Sequence, residues 1–272
     1  MRANTLRVQK TFIFLLLTGI SVVTWRYMVS MDQAMNMDNM AGAWMPPPSG
    51  QAWSTNDFIN TFNMWIIMMA AMMTPSVIHM ALGFIRIYKK RNPNRSAYLG
   101  SLYFVLGYFL IWLVFCVAMT ALQWQLHELA VLTPMMESRN IIFSALVLVL
   151  AGLYQVTEFK AVCLAHCREA HYIREDCHSS PIGMGLHHGF YCVGACWALM
   201  LIMFAVGVMN LMWMGLITFM VVLEKIFPLK PVWLDYVSGL ALVIWGCYLL
   251  VTPDLLARFD LFFLKAGNRF FN

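Results

Sequence analysis

Seven apolar runs, at 11–29, 58–85, 98–124, 140–164, 184–208, 211–227 and 233–252, follow one another along the chain with polar or charged residues between them. An α-helix rises 1.5 Å per residue, so about 20 apolar residues cross the roughly 30 Å of hydrocarbon in a bilayer. A chain that repeats this pattern is expected to be all-α, a polytopic transmembrane helical bundle of about seven spans. Composition agrees: of 272 residues, 61% are hydrophobic and 11% charged, with mean hydropathy +0.69, whereas about a quarter of an ordinary soluble domain is charged. A water-soluble globule is excluded, and disorder, a disulfide scaffold or a transmembrane barrel is disfavoured.

The first run has Arg2, Arg7 and Lys10 ahead of it, as a signal peptide would. The following Thr24-Trp25-Arg26-Tyr27 offers no small-residue cleavage site, so a retained anchor is expected. The chain then divides into an anchor helix with an outer loop (1–57), a six-helix membrane core (58–252) and a tail (253–272). The tail alternates aromatic and basic residues, which suits an interfacial C-terminal helix. With the N-terminus in the cytoplasm, 13 of the 18 Lys and Arg residues fall on inside segments and 5 outside. That bias supports this orientation. The net charge of +5 and the basic cluster from Arg86 to Arg95 are explained by this orientation, so the lipid bilayer is an expected partner and nucleic acid is not.

Sulfur is the second oddity, with 23 Met and 7 Cys. Thioethers and thiolates are the donors that select Cu(I), and they gather in three places. The outer loop carries Met31, Met35, Met37 and Met40 beside Asp32 and Asp38. A solvated segment gives methionine no core to fill, so a copper-collecting site is expected there. Flexible filler against the membrane is the bland alternative. On the second run, Met64, Met68 and Met72 fall on one helical stripe and Met69 and Met73 on the next, with His79 placed on the face of Met72. Pro75 leaves the Ala71 carbonyl without its helical donor and loosens the backbone beside this ladder. Such a stripe is also what ordinary packing produces.

The third gathering pairs Cys163, His166 and Cys167 with His188, Cys192 and Cys196. Each set repeats at i, i+4 on one helix face, and the connection at 168–181 lets the two helices form an antiparallel hairpin. Gly185 and Gly189 would permit their close approach. Four thiols and one or two imidazoles are then expected to converge on a metal. Inert buried cysteine, structural zinc and a pair of interhelical disulfides are the competing readings. Cys177-His178 is read as a loop dipeptide, and Cys116 and Cys247 as packing residues. The remaining ionisable residues, among them the His127-Glu128 pair of an outer loop and Glu224-Lys225 ending the sixth run, are read as solvated or snorkelling. Glu158 stands apart for its closeness to Cys163. No pair points to acid–base catalysis, so enzymatic activity is not expected.

Three stretches together carry a resemblance. They are Met64-Trp65-x2-Met68-Met69-x-Ala71-Met72-Met73-x-Pro75, then Tyr154 through Lys160 to Cys163-Leu164-x-His166-Cys167, and last Gly185-x2-His188-Gly189-x-Tyr191-Cys192-x-Gly194-x-Cys196 with Gly207-Val208-Met209-Asn210 beyond. Over about 53–250 the chain resembles a bacterial family described as metal-binding integral membrane proteins of unknown function. The resemblance implies a multi-helix inner-membrane protein that binds metal, and no demonstrated activity. Family members often carry adjacent cysteines in the second group, where this chain has Ala195 before Cys196, leaving one thiol fewer.

The leading expectation is a membrane protein handling Cu(I): the outer loop collects it, the ladder relays it, and the Cys/His cluster receives it. A copper metallochaperone or a membrane copper enzyme is the implied partner, in a hetero-oligomer. The alternative from another class is a structural or assembly subunit whose Cys cluster is closed by zinc or disulfides. A copper oxidoreductase is a third, disfavoured because His79, His127 and His187 lie in different regions.

Overall fold

The computed structural model describes residues 2–36, 47, 51–92, 96–132, 138, 140–168, 180–226 and 232–251. These form eight helices: α1 (Arg2–Asn36), α2 (Thr55–Arg91), α3 (Ala97–Glu128), α4 (Ile141–Gln155), α5 (Glu158–Arg168), α6 (Pro181–Val206), α7 (Leu211–Ile226) and α8 (Val232–Val251). Local chemistry fixes several starts. Ser54 and Asp57 make a reciprocal capping box on α2, Asn140 accepts from Ile142 and Phe143 to open α4, and Ser180 with Pro181 opens α6. Gly207, at φ 97°, ends α6 where a side chain would be strained.

Five helices are long and apolar enough to cross a membrane, or six if α4 and α5 count as one broken span. The expectation of seven is corrected at two places. Residues 140–164 do not form one rod, because α4 and α5 meet at a 64° bend. Thr157 makes the break: its hydroxyl donates to the Tyr154 carbonyl at 2.8 Å and accepts from the Lys160 amide at 3.3 Å, closing one helix and capping the next. The run 211–227 gives α7 only 16 residues, about 24 Å of helix against the roughly 30 Å required.

Helix α6 lies at the centre, against α3, α4, α5 and α7. Its most apolar window is 67% buried, against 17% for α1 and 22% for α8, so the last two are peripheral rods. The second pairing is α4 with α8, in which Gly152 and Gly239 meet backbone to backbone. The glycine face of α6 turns out to serve α3. A Cβ on Gly185 would overlap the Phe104 carbonyl, and one on Gly189 would press Tyr108 and Ile111. The expected use of these glycines, against the Cys163 helix, is therefore corrected; Gly194 makes that contact.

The extent of α1 corrects the outer-loop assignment too, since residues 31–36 continue the helix, carrying Met31 and Met35. Met37, Met40, Cys177, His178 and the expected tail helix at 253–272 lie outside the described residues. His127 and Glu128 are not in a loop; they end α3. His127 is buried, accepting from Trp53 Nε1 at Nδ1 (3.0 Å), with Nε2 2.7 Å from the Pro47 carbonyl oxygen.

Candidate metal centre

The thiol-bearing faces of α5 and α6 do meet. Cys163, Cys167, Cys192 and Cys196 are all buried, and the six described cysteines are free, so the disulfide reading is not realised. Cys192 is the hub. Its sulfur lies 2.8 Å from Lys225 Nζ of α7 and 3.1 Å from the Tyr108 hydroxyl of α3, and Cys167 of α5 is its neighbour across the seam. Cys196, one turn on, donates its thiol proton to the Cys192 carbonyl at 2.9 Å. Cys163 sits one turn from Cys167 with its sulfur against Gly194, where only a glycine leaves room. The Tyr154 hydroxyl donates to the Gly194 carbonyl and ties α4 to the same turn.

Of the two imidazoles expected here, His188 is buried on the Cys192 stripe, its ring centroid 5.7 Å from those of Phe104 and Tyr108. His166 is placed elsewhere. It stacks on Tyr191 at 4.1 Å and contacts its own Val162 carbonyl through Nδ1, on the flank that also carries His187. Helical spacing placed it at the edge of the cysteine face, and the flat Tyr191 ring draws it outward. Glu158 is exposed at the start of α5 and does not join the thiols.

On α2, Met64, Met68 and Met72 are all buried, as are Met69 and Met73. Both stripes therefore face protein. His79 does not continue the Met72 face; it is exposed and lines a cleft with Lys10 and Arg86. The ladder instead ends beside the thiols. Ser76, one turn past Met72, donates to the Met73 carbonyl at 2.9 Å, and its oxygen receives Lys225 Nζ at 3.4 Å. From Met64 to Ser76 is about 18 Å of helix. A row of thioethers thus leads to a cluster of side chains from α2, α3, α5, α6 and α7, namely Ser76, Tyr108, Cys167, Cys192 and Lys225.

Glu224 and Lys225 correct the reading that ionisable residues here are solvated. Both are buried. Lys160 of α5 reaches Glu224 and Asp235 of α8 at 2.9 Å each, and Gln155 and Arg168 add bonds to the Glu224 side chain and carbonyl. This network pins the residue immediately before Lys225 and so aims the ammonium at Cys192. Sequence reasoning missed Lys225, Ser76, Tyr108 and the Lys160 network. The available signal was an ionisable residue inside or at the end of an apolar run, which carries a large desolvation cost unless partnered.

Cys247 also departs from expectation: Cys116 is buried, but Cys247 is exposed on α8. Among the described residues, no three His, Cys, Asp or Glu side chains already converge as a ligand set; the Cys192 sulfur engages Lys225 and Tyr108, and Cys196 the Cys192 carbonyl. The donor chemistry is soft nonetheless, thiol at the hub and thioether along the approach, which is the set that favours Cu(I) over hard ions.

Residues 62–249 match the family model described as PpoB2, a copper chaperone. The chain belongs to this copper chaperone family. The match takes in α2 from its second turn through nearly all of α8, and so contains the ladder, the four clustered cysteines and Lys225. It supports a copper-related family, as the soft donors do, under a description more specific than the metal-binding membrane family that the motifs resemble. No curated protein and no solved structure matches the chain.

Proposed function

We propose that this PpoB2-family chain is an integral inner-membrane carrier of Cu(I). It takes the ion along the methionine face of α2 and holds it at Cys167 and Cys192 for delivery to a copper enzyme in the same membrane. One observation carries the reading: the thioether row from Met64 to Met72 ends within one turn of Ser76, and Ser76 shares Lys225 with the hub sulfur of Cys192. Affinity rises from thioether to thiolate, so the ion runs down a gradient toward the cluster. The family description as a copper chaperone supports delivery over storage. Met31 and Met35 on the end of α1, with Met37 and Met40 beyond it, would be the periplasmic collectors of the same ion, and Cys163, Cys196 and His188 reserve ligands around the hub.

The test is metal content. Full-length protein purified in detergent is expected to retain Cu(I) near one equivalent, with zinc measured alongside. The Cys192→Ser, Cys196→Ser pair is expected to lose the copper while keeping its helical circular dichroism. Unchanged copper in that double variant ends the proposal.

A further inference from the structure

Lys225 is the feature that the copper reading leaves unexplained. A lysine at 7% exposure gives up its hydration, and nothing in copper ligation calls for an ammonium group, which has no lone pair to offer. Its direct partners are soft or neutral: Cys192 Sγ at 2.8 Å and Ser76 Oγ at 3.4 Å. The neighbouring carboxylate Glu224 is engaged by Lys160, which also holds Asp235. The positive charge of Lys225 is therefore directed at the sulfur.

We propose that Lys225 is the selectivity residue of the thiol site, a fixed positive charge that makes the site neutral with a monovalent metal ion and leaves it charged with a divalent one. The inference rests on the reading of Cys167 and Cys192 as the metal-holding pair. Cys196 donates its proton to the Cys192 carbonyl and stays a neutral thiol in this arrangement, so two thiolates enter the count, each losing its proton to solvent as the ion binds. Two thiolates with Cu(I) sum to one negative charge, which Lys225 cancels. Two thiolates with Zn(II) sum to zero, as the two protonated thiols did, so the positive charge of Lys225 stays uncompensated. In a buried, weakly screened site an uncompensated unit charge is strongly disfavoured, and binding Cu(I) relieves it. The ammonium thus favours Cu(I) over Zn(II) without touching either. The Lys160–Glu224 bond holds the adjacent residue of α7 and keeps this charge in place.

The experiment compares the full chain in detergent with Lys225→Met and Lys225→Arg. Cu(I) is titrated under reducing, anaerobic conditions against a chromophoric Cu(I) chelator, and Zn(II) against a zinc chelator. Lys225→Met is expected to weaken Cu(I) by about tenfold or more, the effect of one unit charge a few ångströms away, and to leave Zn(II), whose charge the two released protons balance, little changed. Lys225→Arg, which keeps the charge, is expected to keep the wild-type preference. A merely structural lysine would weaken both metals together. If Lys225→Met does not fold, Lys225→Gln retains a donor toward Cys192 without the charge and reads the same ratio. An unchanged Cu(I)/Zn(II) ratio in the folded neutral variant, or a wild-type protein that prefers Zn(II), overturns the inference. Failure of the carrier reading is distinct: there the wild type binds no Cu(I), or Cys192→Ser leaves its Cu(I) binding unchanged.

Discussion

Trp25 on α1 donates its indole N–H to the carbonyl of Ala71 on α2 at 3.0 Å, and Ala71 is the residue whose helical donor is missing because position 75 is proline. The gap that proline opens in the methionine helix is closed by a neighbouring helix. In a fully buried setting an unpaired carbonyl costs about 1–3 kcal/mol, so Trp25→Phe is expected to destabilise the fold by about that much. Pro75→Ala restores the amide, and in that background Trp25→Phe should cost much less. Thermal unfolding of the four proteins measures the coupling, and additive effects would show that the indole bond does not substitute for the missing one.

A second expectation concerns the close seam of α3 and α6. A methyl at Gly185 would overlap the Phe104 backbone, which cannot swing aside as a side chain can, whereas a methyl at Gly19 of α1 meets nothing within 4 Å. Gly185→Ala is expected to cost more than about 3 kcal/mol by forcing the helices apart, and Gly19→Ala to be neutral or slightly stabilising. Because Tyr108 and Cys192 bond across this same seam, Gly185→Ala should also lower Cu(I) retention. Equal melting temperatures for the two alanine variants would contradict the packing described.

Lys160 holds Glu224 and Asp235 together at 1% side-chain exposure. Replacing it with Met strands the buried Glu224 carboxylate beside the part-buried Asp235, and breaking a buried pair by removing one partner costs about 3–5 kcal/mol. Lys160→Met is expected to fall in that range. Adding Glu224→Gln and Asp235→Asn should recover much of the loss, because the stranded charges are then gone. The readout is the denaturation midpoint of the single and triple variants.

The helical frame was legible because a run of apolar residues states its own length. The bend at Thr157 and the shortness of α7 were not, since a threonine cap and a pair of buried charges look, in a linear string, like ordinary breaks between spans. The sulfur cluster was legible for Cys163, Cys167, Cys192 and Cys196, whose i, i+4 spacing placed them on two faces that do meet. His166 was misplaced because spacing fixes only the helix face and cannot see Tyr191 holding the ring in a stack away from the sulfurs. Lys225 was read as snorkelling because its partners, Ser76 and Cys192, lie 149 and 33 residues off, and only the tertiary fold brings them together.

Packing and transport make different demands on the methionine ladder, and a volume-conserving substitution separates them. Met68 and Met72 are completely buried. Leucine fills nearly the same space, so each Met→Leu change should cost less than about 1.5 kcal/mol, but it removes the thioether sulfur. If the ladder only fills the core, the Met68→Leu, Met72→Leu protein will load Cu(I) at the wild-type rate. A relay along α2 predicts a different pair of results: final copper content unchanged, because the thiols at Cys167 and Cys192 are intact, and a slower approach to it in stopped-flow loading from a chelated Cu(I) donor. Cys192→Ser should give the converse, losing the end point. A ladder variant that loads at full speed would reduce the α2 methionines to packing and leave the thiol pocket as the whole of the copper chemistry.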